Sequence, residues 1–162
     1  MKTLCNRLRP LTAALAGFAV TLAFAAAPTT SSADTPAGDS AVAWAQAQMG
    51  STAYDGLCLQ FVGDAYSQAG INLNAQASDA SSAASFWNTY GGTKYPPSDS
   101  PPRGALVFWG PTDSNPYGHV AISEGNGMAI SSMERSYTGV HEMTIAYRNA
   151  QGYQEVGYII PG

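Results

Sequence analysis

The spacing of apolar residues changes along the chain, from helical in the first part to alternating in the second. Ser40 is the expected N-cap of a helix running through Met49, with Val42, Ala45 and Met49 at helical spacing and Gly50 as the stop. Leu59, Val62, Ala65, Tyr66 and Ala69 then fall on one face of a second helix that Gly70 ends. Ser78 opens a third, shorter helix towards Trp87. Gly91-Gly92 and the prolines Pro96, Pro97, Pro101 and Pro102 follow, and predict an irregular surface linker. Beyond it the period becomes that of strands. Ala105 to Trp109 reads as a buried strand, His119 to Ser123 alternates, and Gly125-Asn126-Gly127 is a hairpin signal. Met128 to Met133, Val140 to Tyr147 and Glu155 to Ile160 complete an expected antiparallel sheet. Helices followed by strands indicate an α+β domain. No internal repeat or second domain is visible.

Ahead of these elements, Met1 to Pro10 carries Lys2, Arg7 and Arg9, Leu11 to Ala27 is apolar, and Pro28 to Ala33 is small-residue rich. A basic head, a short apolar centre and a small-residue exit predict a secretory signal peptide over residues 1–33, cut before Asp34. The apolar run is at the short end for a span of about 20 residues. Cys5 precedes it, where a lipoprotein cysteine does not lie. The expected product is a secreted single domain, residues 34–162, without membrane attachment. Cleavage leaves four cations, Lys94, Arg103, Arg135 and Arg148, against eleven carboxylates, a net charge of −7. Cations so few and scattered offer no footprint for nucleic acid.

The same cleavage leaves one cysteine, Cys58, without a disulfide partner in the chain. In an oxidising compartment such a thiol is buried and inert, joined to another molecule, or kept for its reactivity. Cys58 lies at a loop-to-helix junction, where unpaired backbone N–H groups and the helix dipole favour a thiolate. His119 follows a Pro116-Tyr117-Gly118 turn. On its strand His119, Ala121 and Ser123 share one face and Val120 and Ile122 the other. With the apolar pair in the core, the imidazole is expected against the helix that begins at Cys58. A cysteine at a helix start facing a strand histidine is a papain-like arrangement for acyl transfer. The alternative is a small buried cysteine and a turn histidine.

The segments Gly56-Leu57-Cys58-Leu59-Gln60-Phe61-Val62, Pro102-Arg103-Gly104-Ala105-Leu106-Val107-Phe108-Trp109 and Gly118-His119-Val120-Ala121-Ile122-Ser123 occur in that order. The chain thereby resembles the NlpC-type and CHAP (cysteine, histidine-dependent amidohydrolase/peptidase) cell-wall hydrolases. The resemblance implies a papain-like NlpC/CHAP fold, N-terminal helices packed on a C-terminal antiparallel sheet. It also implies Cys58 as nucleophile, His119 as general base, and an amide bond in the peptide portion of peptidoglycan as substrate. The NlpC branch usually has Asp-Cys-Ser and Gly-Asp-Leu where this chain has Leu57-Cys58-Leu59 and Gly104-Ala105-Leu106, closer to CHAP-like relatives. Tyr54 sits near a substrate-contacting tyrosine of NlpC enzymes, at a different spacing, and ordinary loop packing is the alternative.

A base histidine needs a partner for its second ring nitrogen. Family spacing places that partner at Ser131. If Asn126-Gly127 is a two-residue type I′ loop, with Gly125 facing Met128, the register instead sets Glu134 opposite His119. A longer loop returns it to Ser131 or Ser132, and water or a backbone carbonyl is a further possibility. Ser131 is the preferred assignment. His141 is expected to be structural, and Asp55 either to recognise a cationic substrate group or to begin a turn. Tyr90, Tyr95, Trp87 and Trp109 are expected in the core rather than in a groove. Two histidines and a cysteine without close ligand spacing are poor material for zinc, so no metal and no cofactor are expected. A non-catalytic wall-binding module and an effector or acyltransferase using the same nucleophile are the competing functions.

Overall fold

The computed structural model describes residues 35–132 and 138–162. The expected signal segment and Glu134 lie outside the described residues. The first helix, α1, is Pro36–Ala47. It starts one turn earlier than Ser40, because Thr35 accepts a bond from Gly38 N at 3.0 Å and Pro36 supplies a preset φ at the first helical position. Ser40 is inside the helix, bonded back to Pro36 O at 2.9 Å. Gly38, Ala41, Val42 and Ala45 form the buried side, whereas Met49 lies beyond the helix and is 45 % exposed. The second helix, α2, is Cys58–Gln68, close to expectation, and buries Phe61, Val62, Ala65 and Tyr66.

Two further boundaries differ from expectation. A short 3-10 turn at Leu73–Ala75 precedes α3, which is Ala83–Thr89 rather than a helix from Ser78. Ser82 outcompetes Ser78 as the start because Ser82 and Ser85 form a reciprocal capping box. The expected strand Val140 to Tyr147 divides into β4, Val140–Thr144, and α4, Ile145–Ala150. Thr144 turns the chain by accepting from Tyr147 N at 3.0 Å.

The remaining strands are β1 (Leu106–Trp109), β2 (His119–Gly125), β3 (Met128–Ser132) and β5 (Glu155–Ile159). They form one antiparallel sheet of order β4-β3-β2-β1-β5. Asn126 and Gly127 both have positive φ, 53° and 78°, and Gly125 pairs with Met128, the type I′ hairpin expected. A bulge between Ser123 and Gly125 then moves the register by one residue, pairing Ser123 with Ala129 and Ile122 with Ile130. The register from which Glu134 is extrapolated thus holds at Gly125–Met128 and not at Ile122–Ile130, while Glu134 itself lies outside the described residues.

Both faces of the sheet are buried. Leu106, Phe108, Val120, Ile122, Ile130 and Ile159 pack under α1, α2 and α3. Val107, Trp109, Ala121, Ala129 and Met143 pack with Ile145 of α4 on the other face. Each large side chain so buried contributes about 1.5–3 kcal/mol. The Pro-rich stretch is strapped to the sheet rather than loose: Tyr95 bridges Tyr158, Ser98 N donates to Glu155 Oε1 at 2.9 Å, and the Ser123 hydroxyl donates to Pro101 O at 2.9 Å. Tyr95 also stacks on Tyr158, and Trp87 and Tyr90 pack against the helical face of the core. Arg103 pairs with Asp39 at 2.8 Å, and Gly104 lets this segment touch α1, since a Cβ there would collide with Gly38.

Candidate active site

Cys58 is the first residue of α2 and is 8 % exposed, opening on a cleft of about 1010 Å3. Leu57 occupies the N-cap position with φ −115° and ψ 43°, and its side chain makes no capping bond. The first turn carries no acidic residue either. Neither the cap residue nor the first turn therefore supplies a side-chain counterpart to the positive end of the helix. Leu57 N donates to Tyr54 O at 2.8 Å, closing the turn that delivers the chain into the helix.

His119 opens β2 directly after Tyr117 and Gly118, which line the same cleft; His119 itself is fully buried behind that wall. The turn before it is held from several directions. Asn115, 5 % exposed, donates through Nδ2 to Gly118 O at 3.0 Å and accepts through Oδ1 from Tyr117 N at 3.1 Å. Ala84 N, in the first turn of α3, donates to Tyr117 O at 2.9 Å. Gly118 has φ +67°, and a Cβ there would fall 2.8 Å from Trp109 O, so glycine is required.

His119, Ala121 and Ser123 share a face, as the alternation predicts, but that face is not the one packed on α2. Val120 and Ile122 lie under the helices, while the fully buried His119 pairs with Trp109, their rings 5.8 Å apart. By the alternation of the sheet His119 belongs to the Trp109 side, at the very end of β2, directly after Tyr117 and Gly118, which line the cleft. The helix α2 packs on the Val120 and Ile122 face of β2, and the start of α2 and the turn before β2 line one cleft.

Ser131 lies within β3 on the Ala129 and Met143 face, fully buried, its hydroxyl donating to Val120 O at 2.7 Å. Ser132 points to the helical side, paired across the sheet with Val140. His141 neighbours Ser131 across the sheet, and its Nε2 lies 2.5 Å from Thr138 O. Asp55 Oδ1 accepts from Gly139 N at 2.6 Å, tying the loop before Cys58 to the segment before β4. Tyr54 packs against Trp44 and Phe61 and donates to Asp64 Oδ2 at 2.9 Å. Burial first, then the Asp64 carboxylate, raise its pKa. Tyr54 is absent from the cleft wall.

Sequence reasoning missed Asn115 and Asp64. The Asn115-Pro116-Tyr117-Gly118 string is itself a turn signal and could have indicated the first. Asp64 has no local signature. Among the described residues no lysine or arginine lines the cleft, and no group of three or more His, Cys, Asp or Glu could hold a metal ion.

A family model for the CHAP domain matches residues 46–135, from the end of α1 to beyond β3. The chain belongs to the CHAP family. Members of this family are typically peptidoglycan amidases or peptidases, and the match spans Cys58, His119 and Ser131. No curated protein sequence matches the chain significantly. Among solved structures, an NlpC/P60 family protein from Bacillus cereus superposes with a TM-score of 0.58 at 20 % identity, covering 80 % of this CHAP chain. The match spans only 42 % of that protein's length. A chain of the type VI effector–immunity complex Tae3–Tai3 from Ralstonia pickettii superposes with a TM-score of 0.51 at 23 % identity, over 75 % of this chain and 97 % of that one. The CHAP chain therefore has the papain-like fold of NlpC/P60 proteins.

Proposed function

We propose that the protein is an exported cysteine amidohydrolase or peptidase that cleaves amide bonds in peptidoglycan stem peptides. The observation that carries this reading is the placement of Cys58 at a helix N-terminus with no side-chain cap, on the cleft shared with the turn that leads into His119. Export rests on the charged, apolar and small-residue segments of residues 1–33.

In this mechanism the Cys58 thiolate attacks the amide carbonyl carbon, and the resulting oxyanion is met by backbone N–H groups at the start of α2. The tetrahedral intermediate collapses as the C–N bond breaks, and His119 gives the leaving amine its proton. A thioester remains on Cys58. His119 then takes a proton from water, whose oxygen attacks the thioester carbonyl, releasing the acid and restoring the thiolate. Ser131 is proposed to orient the imidazole. Its own proton is directed to Val120 O, which leaves the oxygen lone pairs as acceptors for a ring N–H.

A second reading is favoured by one observation. The Ralstonia match covers nearly all of a chain from an effector–immunity complex, so a domain of this size and fold occurs in such a complex, which suits an effector reading. Both readings are tested by digesting purified peptidoglycan with the protein and with Cys58→Ala, followed by mass spectrometry of the released fragments. New amine ends from the wild type alone are expected, and the fragment masses name the bond. No release from any of several wall chemistries contradicts the hydrolase reading.

A further inference from the structure

The cleft does not stop at Cys58 but continues along the outer side of α2. Gln60, Gly63, Asp64 and Ser67 line it at spacings of three and four, so one stripe of the helix forms its floor. From Cys58 to Ser67 a helix rises about 13 Å, room for about four residues of extended peptide. The floor leads on to Asn72 and Asn74, so amides and a hydroxyl, which suit backbone N–H and C=O groups, make up most of this limb. Asp64 is its charged group, about 9 Å along the axis from Cys58 at about 1.5 Å rise per residue. Its carboxylate is held in position: Oδ2 accepts from the Tyr54 hydroxyl at 2.9 Å, and Tyr54 is wedged between Trp44 and Phe61.

We propose that this limb binds the peptide on one side of the scissile amide, and that Asp64 pairs with an ammonium group two to three residues from that bond. The proposal rests on the hydrolase reading for the location of the bond, though binding itself does not depend on turnover. Asp64 would then act as a specificity residue. Two amines of a stem peptide have the required chemistry, the free N-terminus and the side-chain amine of its diamino acid.

The test uses the Cys58→Ala protein, which binds without turnover, and calorimetry with three synthetic lysine-containing stem tetrapeptides: unmodified, acetylated at the N-terminus, and acetylated at the lysine side chain. Acetylation of the amine that meets Asp64 is expected to weaken binding about tenfold, as loss of a charged hydrogen bond does. Which derivative weakens identifies the amine. The gap should narrow as salt is raised. Adding Asp64→Asn, which still accepts from Tyr54, should make all three bind alike. Equal binding of all three to the Asp64 protein, no binding of any at millimolar concentration, or a gap that survives Asp64→Asn overturns the proposal. The peptide comparison on the Asp64 protein needs no further variant to fold. Selective binding by a protein that hydrolyses none of the peptides supports the groove and contradicts only the hydrolase reading.

Discussion

Two helix N-termini border the same cleft and are built in opposite ways. At α3, Ser82 Oγ accepts from Ser85 N at 3.1 Å, and Ser85 Oγ accepts from Ser82 N at 2.9 Å, so two backbone donors are satisfied within the motif. At α2 the cap position is Leu57, half exposed and without a capping bond, and the next residue is Cys58. The helices α1 and α4 follow α3, with Thr35 and Thr144 as side-chain caps. A capping side chain is worth about 1 kcal/mol. The fold spends it at three helices and forgoes it at the one that presents a thiol to a cleft. An N-terminus that serves packing closes on itself, and one that serves chemistry leaves its field to the nucleophile and the substrate.

The largest expected effect that can break this contrast is on turnover. Cys58→Ala should lower peptidoglycan hydrolysis by at least about 10^3-fold, with little change in Tm, since the substitution removes only a small side chain at the cleft. Retained fragment release would end the catalytic reading of α2. The opposite wall should be nearly as sensitive. Gly118→Ala places a Cβ 2.8 Å from Trp109 O at φ +67°. It should destabilise by about 1–3 kcal/mol in urea unfolding and lower hydrolysis in step with the displaced turn.

Smaller effects sharpen the comparison. Giving α2 a cap with Leu57→Asp should raise stability by about 1 kcal/mol while slowing alkylation of Cys58 by iodoacetamide severalfold at neutral pH. Removing the cap of α3 with Ser82→Ala should lower stability by about as much and leave the alkylation rate unchanged. If both substitutions move the alkylation rate equally, the two termini are not functionally distinct.

The smallest effect concerns how α2 is anchored. The Tyr66 hydroxyl donates to Gly104 O in the core, and burial holds its pKa above the ordinary 10.0. The folded state therefore keeps a proton that the unfolded chain releases, so this stabilisation is full below pH 10.0 and falls as pH rises past it. Tyr66→Phe should cost about 1 kcal/mol at pH 7 and flatten the alkaline decline, both measurable by urea titration.

Much of this organisation was legible in the chain. The helical spacing of α2, the Asn126-Gly127 turn and the alternation of β2 are local signals, and each appears as expected. Starts with competing caps were misread, because Thr35-Pro36 and Ser82 differ from Ser40 and Ser78 only in what their side chains reach. The bulge at Ser123–Gly125 has one local signal, Gly125 at φ +82°, which also reads as part of the Gly125-Asn126-Gly127 turn. Beside it the Ser123 hydroxyl donates to Pro101 O, a contact 22 residues away in sequence, and accepts from Gly125 N. The covering of the second sheet face was hidden for a similar reason: α4 looked like the continuation of a strand. Cys58 and His119 stand out by family wording, whereas a third residue set by register needs the bulge to be known.

The most direct measurement is the mass of the protein, quenched in acid during turnover of peptidoglycan fragments and mapped by peptide mass spectrometry. The account predicts an acyl adduct on Cys58 that hydroxylamine removes. Turnover with no adduct on Cys58, undiminished in Cys58→Ala, would contradict it.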